Sequence, residues 1–302
     1  MRRTAWLCAS LLSLGALQGA RAQSTHLSDL EQATPASTGD PVAGGAAGGW
    51  RAVWTVPAAA PSLRGLIMGL EQNEFGGVTT VLAATRFKVG LLWQLQFAQS
   101  QVSNVIDPDL IAQYPDLAAL RVMAQFVAID GVHTVGRTTL SAGLRQDYDE
   151  LLGVRTSGGA ARGSARVRLG PHTALAGVID RAWASSLGQP AAGRMQVAAS
   201  HEVITKAGRV QFNAGARVGR LREAELTETA LAAGTMFTFQ DVLSINAGAR
   251  SERVSQGPWT WRATLGVGVA LGSVGAHFRY NFRPEGRGSS KAGALTYTRD
   301  TP

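Results

Sequence analysis

The fold is decided by residues 259–283, WTWRATLGVGVALGSVGAHFRYNFR. Large apolar side chains fill every second position from Trp259 to Leu271, and the same spacing resumes from Val274 to Phe282. A β-strand sends successive side chains to opposite faces, so this spacing predicts two strands that are each apolar on one face and polar on the other. The two predicted strands are joined through Gly272 alone, and so short a connection favours a hairpin. Each strand has about ten residues, the length that a tilted strand needs to cross a bilayer.

The same alternation continues along the chain and predicts an all-β protein. Fourteen strands are expected, within a range of about 12 to 16. The predicted strands are 63–73, 76–85, 87–101, 118–130, 134–147, 160–169, 172–182, 192–203, 208–218, 229–238, 242–252, 260–271, 273–283 and 290–298. On the strand 118–130, Arg121 and Gln125 mark the predicted polar face. The pattern predicts an antiparallel transmembrane β-barrel, because bacterial barrels have even numbers of strands that alternate between a lipid face and a lumen face.

The predicted connections alternate in length. Short ones are expected at 86, 131–133, 170–171, 204–207, 239–241 and 272, and longer ones at 102–117, 148–159, 183–191, 219–228, 253–259 and 284–289. Outer-membrane barrels have short periplasmic turns and long external loops, so both ends of the barrel are expected on the periplasmic side. The exception is the first connection, Glu74-Phe75, which is too short for this scheme.

The N-terminal region has the organisation of an exported protein. Arg2 and Arg3 precede an apolar run, and a small-x-small site ends at Ala22, so residues 1–22 are predicted to be a signal peptide. Residues 23–62, rich in Gly, Ala, Ser, Thr and Pro, are predicted to form a flexible arm or a plug in the lumen, and 63–302 the barrel. The expected location is the outer membrane of a Gram-negative cell envelope, in contact with lipid.

The sequence offers little support for catalysis. It has no His-Glu-x-x-His, paired-cysteine or Gly-x-Ser-x-Gly pattern, so no catalytic site, metal or cofactor is predicted. The net charge of +8 is not concentrated in a basic block interleaved with aromatics, and no nucleic-acid partner is expected. His277, with Ser273 and Asn281, could form a Ser/His site, but a hydrogen-bonded lumen histidine is the favoured interpretation.

Arginines dominate the predicted polar face. Because a charge facing lipid costs roughly 2–4 kcal/mol, they are expected to point into the lumen. The lumen residues are Arg121, Arg145, Arg162, Arg166, Arg168, Arg194, Arg209, Arg217, Arg250, Arg262, His277, Arg279 and Arg283. Either they attract anionic ligands, or they form ion pairs with carboxylates such as Glu202, Asp147 and Glu252. The second interpretation is favoured, since unpaired guanidinium groups would repel one another.

Aromatic residues near strand ends are candidates for the membrane interface, where Trp and Tyr accumulate. The predicted interface residues are Trp93, Trp259, Trp261, Tyr280 and Phe282.

The segment Val53-Trp-Thr-Val-Pro-Ala-Ala-Ala60 resembles the Trp-x-Asn-Pro-Ala-Gly-Leu-Ala segment of the FadL superfamily, which includes PorV/PorQ-like proteins. The resemblance implies a fourteen-stranded outer-membrane barrel with a plug-like segment containing Trp54 and Pro57. It also implies passive transport or binding of a small hydrophobic or amphipathic ligand. The alternative is a non-transporting scaffold subunit of a secretion machinery. A soluble periplasmic β-protein is a second alternative.

Overall fold

The computed structural model of the chain describes residues 46, 53, 56–62, 65–73, 79–86, 90–101, 112–116, 121–151, 154–182, 193–220, 227–282 and 290–299. Within these ranges, fourteen strands form one closed barrel. The strands are β1 (Gly65–Asn73), β2 (Thr79–Arg86), β3 (Leu91–Gln101), β4 (Arg121–Val135), β5 (Thr138–Leu151), β6 (Val154–Arg168), β7 (Thr173–Ala182), β8 (Gly193–Ile204), β9 (Arg209–Arg220), β10 (Thr227–Phe239), β11 (Leu243–Val254), β12 (Thr260–Leu271), β13 (Val274–Phe282) and β14 (Ser290–Arg299).

Every strand is antiparallel to its neighbours in the chain, and β14 pairs with β1 to close the sheet. The turns after β2, β4, β6, β8, β10 and β12 are two to four residues long and lie at one end of the barrel, the short-turn end. The start of β1 and the end of β14 lie there too. The other connections lie at the opposite, long-loop end. In an outer-membrane barrel the short-turn end is periplasmic.

The two faces of strand β12, in the β12–β13 hairpin, are as predicted. Leu265, Val267 and Val269 are exposed on the outside, whereas Thr264 and Gly266 are buried on the inside. The outward faces of the other strands carry the same kind of residue, and together they make an apolar belt around the barrel. This inside-out distribution is that of an outer-membrane β-barrel, because lipid, not a protein core, covers the apolar face.

The predicted boundaries of β4, β5 and β6 are wrong. The turn expected at 131–133 lies at Gly136-Arg137, where Gly136 has a positive φ of 58°. The long loop expected at 148–159 is mostly strand, and only residues 152–153 separate β5 from β6. The Gly- and Ala-rich stretch at the start of β6 has the composition of a loop. It forms a strand because its small residues Gly158 and Ala160 are buried on the inner face.

The predicted faces of β4 are also reversed at its described side chains. Ala128, Asp130 and Val132 are buried inside, and Ile129 is exposed outside, so the polar face assigned to Gln125 is the outer one. The reversal arises because an ion pair holds Asp130 inside the lumen. The side chain of Arg121 lies outside the described part of the structure.

The first connection is longer than predicted. Strand β2 begins at Thr79 instead of residue 76, so five residues follow Asn73 at the long-loop end. The connection between β1 and β2 therefore no longer breaks the alternation of short and long connections. The connection that breaks it is the one between β5 and β6. Of the 102–117 connection, only residues 112–116 fall within the described ranges, and all five are exposed.

Candidate functional site: the barrel lumen

The lumen contains a segment from the N-terminal region, here called the plug: Ala46, Val53 and Val56–Ser62. Pro57–Ser62 form a single 3-10 helix of sequence PAAAPS, in which the two prolines fix φ near the helical value. No helix among the described residues is long and apolar enough to cross a membrane. Val56 and Ala58 are fully buried against Ala176, Val178 and Ala198 on the inner faces of β7 and β8.

The opposite side of the plug is hydrogen-bonded to the barrel wall. The backbone N–H of Ala58 donates to Ser164 Oγ on β6 at 2.8 Å. Ser164 Oγ is in turn 2.6 Å from Ser141 Oγ on β5. All three groups are buried, and burial makes a lost partner expensive for a backbone N–H. The serine pair therefore anchors the plug to β5 and β6.

A second anchor is a chain of buried polar groups on β3, β4 and β6. Arg162 Nε donates to Asp130 Oδ1 at 2.8 Å, and the same guanidinium contacts the Gln94 amide oxygen. Gln94 Nε2 then donates to the backbone oxygen of Val53 in the plug at 3.0 Å. The ion pair thus fixes the amide of Gln94, and that amide holds the plug. Near the short-turn end, Arg166 Nε also donates to the backbone oxygen of Ala46 at 3.0 Å.

A separate network of charged residues lies near the long-loop end, on β9, β10 and β11. Glu228 accepts from Arg217 and, at 2.9 Å, from Arg250, which also pairs with Glu252 at 2.7 Å. Both guanidinium groups are almost completely buried. Charges buried in this way need partners, because desolvation would otherwise be very costly. The plug and this network therefore occupy opposite ends of the lumen.

Further ion pairs lie on the inner face of the barrel and at its rim. Arg194 on β8 pairs with Asp180 on β7 close to the long-loop end. Arg209 pairs with Asp241, and lies 3.9 Å from Glu202, at the exposed short-turn rim. Pairing of the lumen arginines with Glu202 and Glu252 was expected from the sequence, but their pairing with Asp130, Asp180 and Glu228 was missed.

The remaining predicted lumen residues can also be placed. Alternation with buried neighbours puts nine of them on the inner face: Arg145, Arg166, Arg194, Arg209, Arg217, Arg250, Arg262, His277 and Arg279. Arg168 is exposed at the short-turn rim. The side chain of Arg121, the whole of Arg283, the side chain of Asp147, Trp54 and the predicted signal peptide lie outside the described residues.

The histidine on β13 lies close to a hydroxyl group on β14. His277 Nε2 is 3.3 Å from Thr296 Oγ1. Ser273 is exposed in the turn between β12 and β13. Among the described residues, no group of three His, Cys, Asp or Glu side chains could hold a metal ion.

The predicted interface aromatics fall on the outer face. Trp259, Trp261 and Phe282 are exposed at the long-loop end, and the rings of Trp261 and Phe282 lie 6.1 Å apart at 53°. Arg253 stacks over Trp259 at 5.0 Å. Tyr280 lies one step lower, in register with Leu265. The other member, Trp93, is near the short-turn end of β3, in register with exposed Ile129.

No protein-family model matches the chain, and no curated protein matches its sequence. Solved structures do match its fold. The toluene transporter TodX of Pseudomonas putida superposes with a TM-score of 0.58 at 11% identity, covering 90% of this chain and 99% of that one. A TodX deltaS2 mutant, named as a monoaromatic hydrocarbon channel, gives 0.58 at 10% identity, covering 91% and 100%. At such identities the likeness shows the barrel fold alone.

Proposed function

We propose that this protein is an exported outer-membrane barrel that passes or holds a small hydrophobic or amphipathic molecule. The observation that carries the proposal is a plug bound inside a closed fourteen-stranded barrel. A structural filler would need only apolar packing. Instead, the plug donates a hydrogen bond to Ser164 and accepts one from Gln94, and these bonds fix it to one side of the lumen, on β3 to β6.

The arrangement of the lumen supports restricted passage. A molecule entering from the long loops meets the Arg217–Glu228–Arg250 network first and the plug afterwards. The plug lies in the short-turn half, and its movement would open the periplasmic exit. In this proposal residues 1–22 direct export, and the FadL-like segment around Pro57 forms the stopper. TodX is named as a toluene transporter, which makes toluene a suitable first probe.

The test is uptake of radiolabelled toluene by vesicles whose outer leaflet is lipopolysaccharide, which slows its diffusion through the lipid. We expect faster uptake in vesicles that contain the folded barrel than in matched vesicles containing an unrelated closed barrel. Equal rates in the two preparations would contradict transport. Folding and insertion are monitored by heat-modifiable gel migration.

A scaffold subunit of a secretion machinery is the second candidate. The observation that favours it is the extent to which paired charges and the plug are buried, since residues such as Arg250, Gln94 and Val56 are inaccessible to solvent. A scaffold would remain closed and would copurify with specific partner subunits after mild detergent extraction. Toluene uptake without such partners would decide against it. The soluble alternative is not proposed, because a soluble protein would expose the whole apolar belt to water.

A further inference from the structure

The outer face of strands β8 to β13 carries very little charge. Among the described side chains of these strands, only two of the Asp, Glu, Lys and Arg residues face outward, Arg220 on β9 and Arg253 on β11. Their direction follows from alternation with Arg217 and Arg250, which are buried on the inner face three positions earlier. Both outward arginines lie where their strands end, at the long-loop end. This part of the outer surface is therefore positively charged.

The two arginines lie on either side of β10. Arg220 is in register with Thr227 of that strand. Arg253 is in register with Thr229, two residues further on. Both threonines face outward, so their side chains lie between the two arginines. Strands lie about 4.8 Å apart and rise about 3.4 Å per residue, which puts the two arginine Cα atoms roughly 12 Å apart. Because arginine carries its charge on a long stem, both guanidinium groups can reach one anion between them.

Aromatic residues place this charged surface at the level of the lipid headgroups. The guanidinium group of Arg253 lies over the ring of Trp259, 5.0 Å from its centroid. Trp259 and Trp261 are exposed on the outer face, and tryptophan accumulates at the membrane interface. Towards the middle of the barrel, β9 and β10 continue with the exposed apolar residues Val218 and Leu231. A lipid bound here would have its headgroup at the arginines and its acyl chains on the apolar belt.

We propose that Arg220 and Arg253, with the two threonines between them, bind a phosphate group of lipopolysaccharide in the external leaflet of the outer membrane. Guanidinium groups bind phosphate through charge-assisted hydrogen bonds, to which the hydroxyl groups add donors. The long-loop end of an outer-membrane barrel is external, so the phosphates at this level belong to lipopolysaccharide. Free phosphate would use only the polar part of this surface. The inference goes beyond the proposed function and does not depend on transport.

The test measures binding of diphosphoryl lipid A, the anchor of lipopolysaccharide, to the folded barrel in detergent by native mass spectrometry. Dephosphorylated lipid A has the same acyl chains without the charge. We expect the wild-type barrel to prefer the diphosphoryl form by about tenfold or more. The double substitution Arg220→Gln with Arg253→Gln removes both charges and should abolish this preference. Each single substitution should reduce it in part, which keeps the test informative if the double variant does not fold.

The matched control is Arg155→Gln. Arg155 is also exposed on the outer face at the long-loop end, but it pairs with Glu150 at 2.9 Å. The control removes the same charge from the same face and should keep the wild-type preference for the diphosphoryl form. Heat-modifiable gel migration shows whether each variant is folded.

Phosphatidylglycerol distinguishes lipopolysaccharide from other anionic lipids. We expect the wild-type barrel to bind it more weakly than diphosphoryl lipid A. Equal affinity for these two lipids would mean that the surface accepts any lipid phosphate, and the assignment to lipopolysaccharide would fail. Equal binding of the two forms of lipid A would overturn the proposal, as would folded arginine variants that keep the wild-type preference.

Discussion

The backbone N–H of Ala58 in the plug donates a 2.8 Å hydrogen bond to Ser164 Oγ in the barrel wall. The two residues are 106 positions apart in the chain, and both partners are buried. Such a contact holds the plug against β6 without any covalent link, so its strength decides how readily the plug moves. It is also a contact that a single substitution can remove.

Ser164→Ala should loosen the plug. The Ala58 N–H would lose its acceptor, at a cost of roughly 1–3 kcal/mol. Cys8, the single cysteine of the sequence, is changed to Ser so that only an Ala59→Cys reporter can react. Maleimide labelling of this reporter should become roughly tenfold faster or more. The matched control is Ser244→Ala, another buried serine, which hydrogen-bonds the wall residue Gly268. Equal labelling rates for Ser164→Ala and the control would show that the serine does not hold the plug.

Asp130→Asn should destabilise the whole barrel. It leaves the buried guanidinium of Arg162 without a counter-charge, and breaking a buried ion pair costs about 3–5 kcal/mol. The midpoint of urea unfolding in vesicles measures the loss. The control is Glu150→Gln, because its partner Arg155 is largely exposed and such pairs contribute roughly 0–1 kcal/mol. The interpretation would be wrong if both variants unfolded at the wild-type midpoint.

Glu228→Gln should make the lumen more selective for anions. The substitution removes the carboxylate shared by Arg217 and Arg250 and leaves their positive charges in place. The reversal potential of the barrel in planar bilayers, under a KCl gradient, should shift toward that of chloride. Glu202→Gln is the control, since this carboxylate lies at the exposed rim, where solvent screens it. An equal shift for both variants would contradict a role for the buried network.

Leu265→Arg should reveal how the barrel sits in the membrane. Leu265 is exposed on the outer face midway along β12, where a charge facing lipid costs about 2–4 kcal/mol. Leu271→Arg, beside the short turn of the same strand, should cost only about 0–1 kcal/mol. Unfolding in vesicles gives both values. If the two variants lost similar amounts of unfolding free energy, Leu265 would not lie deeper in the bilayer than Leu271, and the described position of the apolar belt would be wrong.

The sequence predicted the barrel well where large apolar residues alternate with polar ones. β3, β9, β11 and the β12–β13 hairpin were located from this pattern, and the structure confirms them to within a few residues. Even β7 and β10, which alternate poorly, are strands. Their inner positions carry alanines that sit in small buried clusters, such as Ala176 beside the plug and Ala230 with Ala232.

The prediction failed where the lumen is filled by protein. On β4, the apolar Ala128 and the buried Asp130 face inward. The inner face of that segment therefore lacks the polar alternation on which the prediction relied. Residues 131–133 were therefore mistaken for a turn, although Asp130, directly before them, pairs with Arg162 from β6. Contacts between residues so distant in the chain leave no local pattern. The acidic partners Asp130, Asp180 and Glu228 were missed for the same reason.

The most direct test of the account is to tether the plug reversibly. Ala58→Cys with Ser164→Cys, in the Cys8→Ser background, places two thiols at the observed plug–wall contact. We predict that the oxidised protein takes up toluene into lipopolysaccharide-coated vesicles much more slowly than the same protein after reduction. Single-cysteine variants should show no such difference. Equal uptake before and after reduction, with disulfide formation verified, would contradict control of passage by the plug.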